Sequence, residues 1–350
     1  MTLMNNNTTL QLHLPAEWEY DSTIMLAWPH EETDWAHMLP QVRTCYRNLI
    51  QAITSVGQNV ILIGPGLDSL PEELTHLDSN RIFTFNCPTN DTWTRDYGPL
   101  TLIDNNGTAV VADFRFNGWG LKFAADLDNC VTPSMCAKGL ITVPRQNCQG
   151  FVLEGGGIES DGRGTLLTTA HCQFSPNRNP HLSKEQIEEH LCRFFGAKRV
   201  LWLNHGYLAG DDTDSHIDTL ARFAPNDTII YTGCNDPEDE HYQALQAMKQ
   251  ELMEMTTADG LPYNLIELPL PDPVFDGDER IPATYANFLA TPKAVFMPTY
   301  NQPQKDQLAY QMLQIAFSQP IITVDCSALI RQHGSLHCAT MQLPDNILCL

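Results

Sequence analysis

Asp96-Tyr97-Gly98-Pro99-Leu100-Thr101-Leu102-Ile103-Asp104-Asn105-Asn106-Gly107-Thr108-Ala109-Val110-Val111-Ala112 sets one acidic side chain just ahead of two apolar runs joined by a polar turn. Val, Ile and Thr suit a pleated strand, and an Asn-Gly turn between two such runs predicts a β-hairpin. The same grammar returns along the chain. Glu154 follows Phe151-Val152-Leu153 and leads through Ile158-Glu159-Ser160 and an Asp161-Gly162 turn into Thr165-Leu166-Leu167-Thr168-Thr169. His216 leads into Leu220-Ala221-Arg222-Phe223, a turn at Pro225-Asn226-Asp227, and Thr228-Ile229-Ile230-Tyr231. A fourth unit runs through Tyr285-Ala286-Asn287-Phe288-Leu289 and Thr291-Pro292-Lys293 to Ala294-Val295-Phe296-Met297, and shows no obvious catalytic side chain. The fifth, at Cys338, closes if its strand joins the first one, Thr23-Ile24-Met25-Leu26-Ala27-Trp28.

These anchors recur about 50–70 residues apart, the mark of a degenerate repeat. Helical periodicity lies between the hairpins, over 41–52, 238–255 and 304–317. Ser183-Lys184-Glu185-Gln186 has capping-box spacing and predicts a helix running to about residue 195. Repetition around an axis would gather equivalent positions at one central pocket; a plain α/β domain without symmetry satisfies the same spacing. No Pro-, Gly- or Ser-rich linker divides the chain, so residues 1–350 are expected to form one domain.

The chain has 350 residues, 20 Lys and Arg against 42 Asp and Glu, and a formal net charge of −22. No basic run could track a phosphate backbone, which excludes nucleic acid as an expected partner. An acidic surface draws small cations toward a cleft, although most of these carboxylates need do no more than keep the protein soluble. Met1-Thr2-Leu3-Met4-Asn5-Asn6-Asn7 lacks the flank and apolar run of a secretory signal, and no stretch approaches the ~20 apolar residues of a membrane span. A cytoplasmic protein with no membrane partner is expected; the oligomeric state stays open, with a homo-oligomer compatible. The 11 cysteines are odd in number and never spaced Cys-x-x-Cys, against both a disulfide framework and a zinc ribbon.

Each motif has an ordinary reading beside its chemical one. Glu154-Gly155-Gly156-Gly157 is not a dinucleotide loop, because a hairpin rather than a helix follows; the glycines let backbone pass close to a neighbour while Glu154 points inward. The acidic run from Asp211 to Asp218 fails as an EF-hand, with Ile217 where glycine is needed and Phe223 where glutamate is needed. Period-two alternation instead places His216 and Asp218 on one face of a strand. Asp96 and Asp218 could together accept from the fork of a planar guanidinium. Trp93 and Trp119 could pack on such a ligand, or simply fill core. Arg95 reads as half of a surface ion pair.

Together with Trp28-Pro29-His30, Asn90-Asp91-Thr92-Trp93-Thr94-Arg95-Asp96-Tyr97-Gly98-Pro99 and His337-Cys338-Ala339-Thr340-Met341-Gln342, these segments resemble the agmatine deiminases and the related bacterial peptidylarginine deiminase-type proteins. The resemblance spans nearly the whole chain. It implies a five-bladed α/β propeller of the guanidino-modifying (pentein) superfamily, with repeated ββαβ-type units. It also implies Cys338 as nucleophile, His216 as general acid/base, Asp96 and Asp218 as the guanidinium grip, and Glu154 as a further acidic catalytic and binding residue. Ser215 replaces a usual Gly, Gly157 a common Ser or Asn, and Ser335-Leu336 an Asn-Ile; these departures bear on tail specificity. Agmatine would then give N-carbamoylputrescine and ammonia through a thiouronium intermediate, with neither metal nor organic cofactor. Free or peptidyl arginine is the alternative substrate, and a non-catalytic polyamine-binding protein the alternative class. Carboxylates around Cys338 should keep its resting thiol neutral, or sharing a proton with His216, until a cation binds.

Overall fold

The computed structural model describes residues 12–350, so the reading of residues 1–7 lies outside the described residues. Five sheets repeat one local topology. In chain order their antiparallel pairs are Met341–Pro344 with Ser22–Ala27, Leu100–Ile103 with Ala109–Arg115, Glu159–Ser160 with Thr165–Thr169, Ala221–Ala224 with Thr228–Gly233, and Leu289–Ala290 with Val295–Thr299. The second strand of each pair then takes a parallel neighbour: Val60–Gly64, Arg145–Val152, Arg199–Leu203, Asn264–Pro269 and Ile321–Asp325 respectively.

Parallel neighbours need a crossover, and in every unit a helix supplies it. These are Leu39–Ser55, Val131–Ala137, Lys184–Phe195, Tyr242–Glu254 and Pro303–Ala316. The capping box forms as expected, Ser183 accepting from the Gln186 backbone while the Gln186 side chain accepts from Ser183 N–H. Strands such as Ser22–Ala27 and Val60–Gly64 are buried along their whole length, which is why they read as unbroken apolar runs rather than alternating ones. The fourth hairpin is shorter than the sequence suggests: only Leu289–Ala290 pairs with Val295–Thr299, because 285–288 turns into the molecule's centre instead.

The anchors share one position. Asp96, Glu154, His216, Asn287 and Cys338 each stand two to five residues ahead of the first strand of an antiparallel pair. Among the described residues, no helix is long and apolar enough to cross a membrane.

Candidate active site

Three of the anchors sit on or beside single helical turns: Thr94–Tyr97 carries Asp96, Gly155–Gly157 follows Glu154, and Ile217–Thr219 follows His216 and carries Asp218. The last of these corrects the strand assigned from alternation. Asp214 and Ser215 take left-handed φ of 65° and 64°, Asp211 accepts from Ser215 N–H, and the chain enters a 3₁₀ turn directly after His216. Ser215 thus occupies a conformation that glycine adopts without strain.

Gly156 marks where the groups meet. A methyl group on its Cα would lie 2.8 Å from Asp96 Oδ1, 2.8 Å from His216 Nδ1 and 3.0 Å from Asp218 Oδ2. Asp218 Oδ2 is in turn 3.6 Å from Cys338 Sγ. Residues from four distant segments therefore surround one buried point. Asp96 accepts from Gly156 N–H at 2.9 Å and from Trp119 Nε1–H at 2.9 Å. Trp119 reaches it from a turn in which Gly118, Trp119, Gly120 and Leu121 all have positive φ.

Asn287 holds the sulfur. Its Nδ2 donates toward Cys338 Sγ at 3.2 Å, while its Oδ1 accepts from the backbone N–H of His337 at 2.9 Å and of Cys338 at 3.3 Å. His337 bridges two carboxylates, with Nδ1 2.7 Å from Asp218 Oδ2 and Nε2 2.5 Å from Glu17 Oε1. Glu154 is fully buried and receives Arg178 Nε at 2.8 and 3.1 Å, and Arg178 continues to Asp214 and the Thr213 carbonyl. Arg95 is buried rather than at the surface, because Glu17 at 3.2 Å and Gln342 at 3.1 Å pair it inside.

Electrostatics follow from this packing. Burial, then the charges of Asp218 and Asp96, push the Cys338 thiol well above the ordinary thiol range, and Asn287 offsets only part of that. Burial opposes charge on His216, but Asp96, Cys172 and Glu154 outweigh it and hold the imidazole well above its usual value. Burial raises Asp96, with Asp218 and Glu154 adding and His216 and Trp119 relieving. Burial would raise Asp218 also, yet the His337 bond and charge bring it below the carboxylate norm. This packing favours a neutral thiol beside a protonated imidazole and an ionised Asp218.

A cleft of about 650 Å³ leads to this point. Trp93, Trp119 and Phe123 line its apolar walls, and Asp34, Asp91 and Asp212 stand around it with no Lys or Arg among the lining residues. Burial lifts Asp91 to about 7 and Asp212 to about 6, so both gain from a neighbouring cation. The remainder of the acidic run is committed to structure: Asp211 accepts from Thr213 and Ser215, and Asp214 pairs with Arg178 and Lys122.

All seven residues singled out in the sequence lie at or beside this point: Cys338, His216, Asp96, Asp218 and Glu154 within it, Trp93 and Trp119 on the cleft wall. The sequence reading took Asn287 only as the anchor of a unit without a catalytic side chain, and gave no role to Arg178, Glu17 or the outer aspartates. Asn287 carried a usable signal, an amide flanked by Ala286 and Phe288 that must find partners if buried.

Comparison with known proteins agrees with the geometry. Campylobacter jejuni agmatine deiminase, solved with substrate bound, is 38% identical, superposes with a TM-score of 0.89, and is matched over 95% of this chain and 96% of its own. A Porphyromonas gingivalis protein provisionally named an arginine deiminase is 47% identical with a TM-score of 0.88, over 97% and 99% of the two chains. A Legionella pneumophila protein provisionally named an agmatine deiminase is 32% identical over 97% of this chain and 98% of its own. The Porphyromonas-type peptidyl-arginine deiminase family matches residues 13–344, and the chain belongs to that family.

Proposed function

We propose that the protein is a cysteine-dependent deiminase of agmatine, built as one catalytic domain over residues 1–350 whose five sheets are the blades of a propeller. The observation that carries this reading is an acidic cleft ending on Cys338, with Asp96 and Asp218 beside the sulfur. Among the described residues, Asp218 Oδ1 is buried without a hydrogen-bond partner. Such an atom costs free energy unless something pairs with it, and a guanidinium offers several N–H donors in one plane.

A guanidinium held by Asp96 and Asp218 brings its central carbon over Cys338 Sγ and supplies the positive charge the thiol lacks. The thiolate then forms only with substrate in place, its proton leaving to solvent because His216 already carries one. Attack on carbon is followed by departure of ammonia with a proton from His216, and His216 next takes a proton from the water that hydrolyses the thiouronium. Arg178 keeps Glu154 oriented toward His216. Asp91 and Asp212 favour a tail that ends in an ammonium, whereas the α-carboxylate of arginine would meet like charge and no Lys or Arg.

Ammonia release from agmatine, free arginine and a peptidyl arginine tests the assignment. We expect kcat/KM for agmatine to exceed arginine by about 10³-fold, since both a lost attraction and a repulsion of a few kcal/mol separate them. Asp212→Asn should raise KM for agmatine more than it lowers kcat. Comparable or faster turnover of either arginine substrate would overturn the agmatine assignment; no ammonia from any of the three, with agmatine bound, would leave a binding protein.

A further inference from the structure

We propose that Glu154, Cys172 and His216 form a second kind of site, a pocket for one thiophilic divalent cation such as zinc, and that its occupation shuts down the reaction. Three observations converge on it. The Glu154, Cys172 and His216 donor atoms all lie within 4.8 Å of one another, and all three residues are buried. Among the described residues His216 Nε2 has no hydrogen-bond partner, and it stands 4.0 Å from Glu154 Oε2, on the ring edge away from Nδ1 and Asp96. Cys172 makes and breaks no bond in the deimination chemistry, yet it is held against the catalytic imidazole.

The placement is rigid. Cys172 sits on the short helix Ala170–Gln173, whose cap, Thr169, accepts from Cys172 N–H. The same Thr169 hydroxyl donates to the Ser215 carbonyl at 2.7 Å, which ties the cysteine turn to the residue preceding His216. Gly157 leaves the approach open, since a methyl there would lie 3.4 Å from Cys172 Sγ and 3.9 Å from His216 Cδ2.

The donor set decides the class of ion. One thiolate, one imidazole and one carboxylate suit zinc or cadmium, while calcium and magnesium require oxygen donors throughout. Arg178 contacts both Glu154 oxygens through Nε, and a carboxylate has lone pairs enough to keep that bond and bind a cation. Asp96 and Asp214 further balance the added charge. A second constellation, Glu17, Glu159 and His337, meets the same distance criterion but already holds the Arg222 guanidinium, so it has no vacancy for a metal.

Binding replaces the Cys172 thiol proton and any proton on His216 Nε2, both released to solvent, so affinity climbs with pH. The inhibitory consequence rests on the deiminase reading, because an imidazole bound through Nε2 no longer cycles a proton. The metal site itself does not.

Cadmium titration into Cys338→Ser protein, with exposed Cys130 and Cys349 also changed to serine, separates the two. We expect a cadmium–thiolate absorption band saturating at one equivalent, lost on adding Cys172→Ser. In protein with native Cys338, Cys172→Ser should raise the zinc concentration for half-inhibition at least 30-fold, each protein's activity being scaled to its own zinc-free rate. X-ray absorption of the zinc-loaded Cys338→Ser protein reads the site without the Cys172 substitution, and should show one sulfur at about 2.3 Å with an imidazole nitrogen. A band that survives Cys172→Ser, a band absent with Cys172 intact, or a zinc shell lacking sulfur would each overturn the site. Protein inactive on every guanidine yet showing the band would refute the deiminase reading alone.

Discussion

Replacing Gly156 by alanine tests whether the reacting groups truly crowd one point. The new methyl would lie 2.8 Å from Asp96 Oδ1 and His216 Nδ1 and 3.0 Å from Asp218 Oδ2. None of these atoms belongs to a free side-chain tip. Asp96 is tethered by Trp119 and by the Gly156 amide, Asp218 by His337, and His216 is wholly enclosed. Relief therefore requires each neighbour to retreat by roughly half an ångström toward ordinary contact distance. Overpacking of this kind costs about 1–3 kcal/mol, which in a chain of this length lowers Tm by roughly 2–5 °C. The catalytic effect should be larger, since a misplacement approaching 1 Å costs on the order of 10²-fold in rate. Agmatine turnover by ammonia release, paired with a thermal melt, reads both. Gly150→Ala is the control, because nothing lies within 4 Å of a methyl there and its φ is ordinary. If Gly156→Ala keeps activity within threefold of the native protein at unchanged Tm, the three groups do not surround that position and the proposed centre is wrong.

Alkylation of Cys338 by iodoacetamide should be slow at pH 7 and follow a midpoint above the ordinary thiol value, because burial, Asp218 and Asp96 all favour the neutral form. A non-reacting guanidinium ion should move that midpoint down; a thiol already ionised at pH 6 without any cation would contradict the substrate-triggered mechanism. Asp128 offers a test of stability against pH. Burial lifts it to about 8 despite backbone bonds from Asn90 and Asp91, so the folded state holds its proton more tightly than the unfolded chain. Its contribution is complete below about pH 4 and is lost as pH rises through about 8, with a slope of up to about 1.4 kcal/mol per pH unit. Urea midpoints between pH 5 and 8.5 should fall in the native protein and fall less in Asp128→Asn; parallel curves would show that Asp128 is not protonated in the fold.

The hairpins were legible because local chemistry and the global fold agree there. Leu100–Ile103 and Ala109–Arg115 meet through the Asp104-Asn105-Asn106-Gly107 turn, with Ile103 opposite Ala109. The capping box at Ser183 is likewise a purely local signal. His216-Ile217-Asp218 misled because a polar–apolar–polar triplet fits a strand and a tight turn equally well. What decided between them was the left-handed pair Asp214 and Ser215, a backbone feature that no periodicity reports. Arg178 was invisible for a different reason: it lies in the Pro176-Asn177-Arg178-Asn179-Pro180 loop, and only tertiary contact reveals that its guanidinium belongs to Glu154.

The distribution of positive charge explains how so acidic a centre can hold together and still select a cation. Glu154 is matched by Arg178, and Asp218 is matched on one oxygen by His337, itself braced by Glu17 and Arg222. Those pairings use up most of the local negative charge before any ligand arrives. Among the described residues, Asp218 Oδ1 remains unpaired, and Asp96 is met only by the neutral donors of Trp119 and Gly156 and by the His216 ring. The field left over, from Asp218 and Asp96, therefore reaches both Cys338 and the His216 ring. On the proposed mechanism it holds the thiol neutral in the empty site and one planar cation reverses the balance, so that recognition and activation of the sulfur become a single electrostatic event.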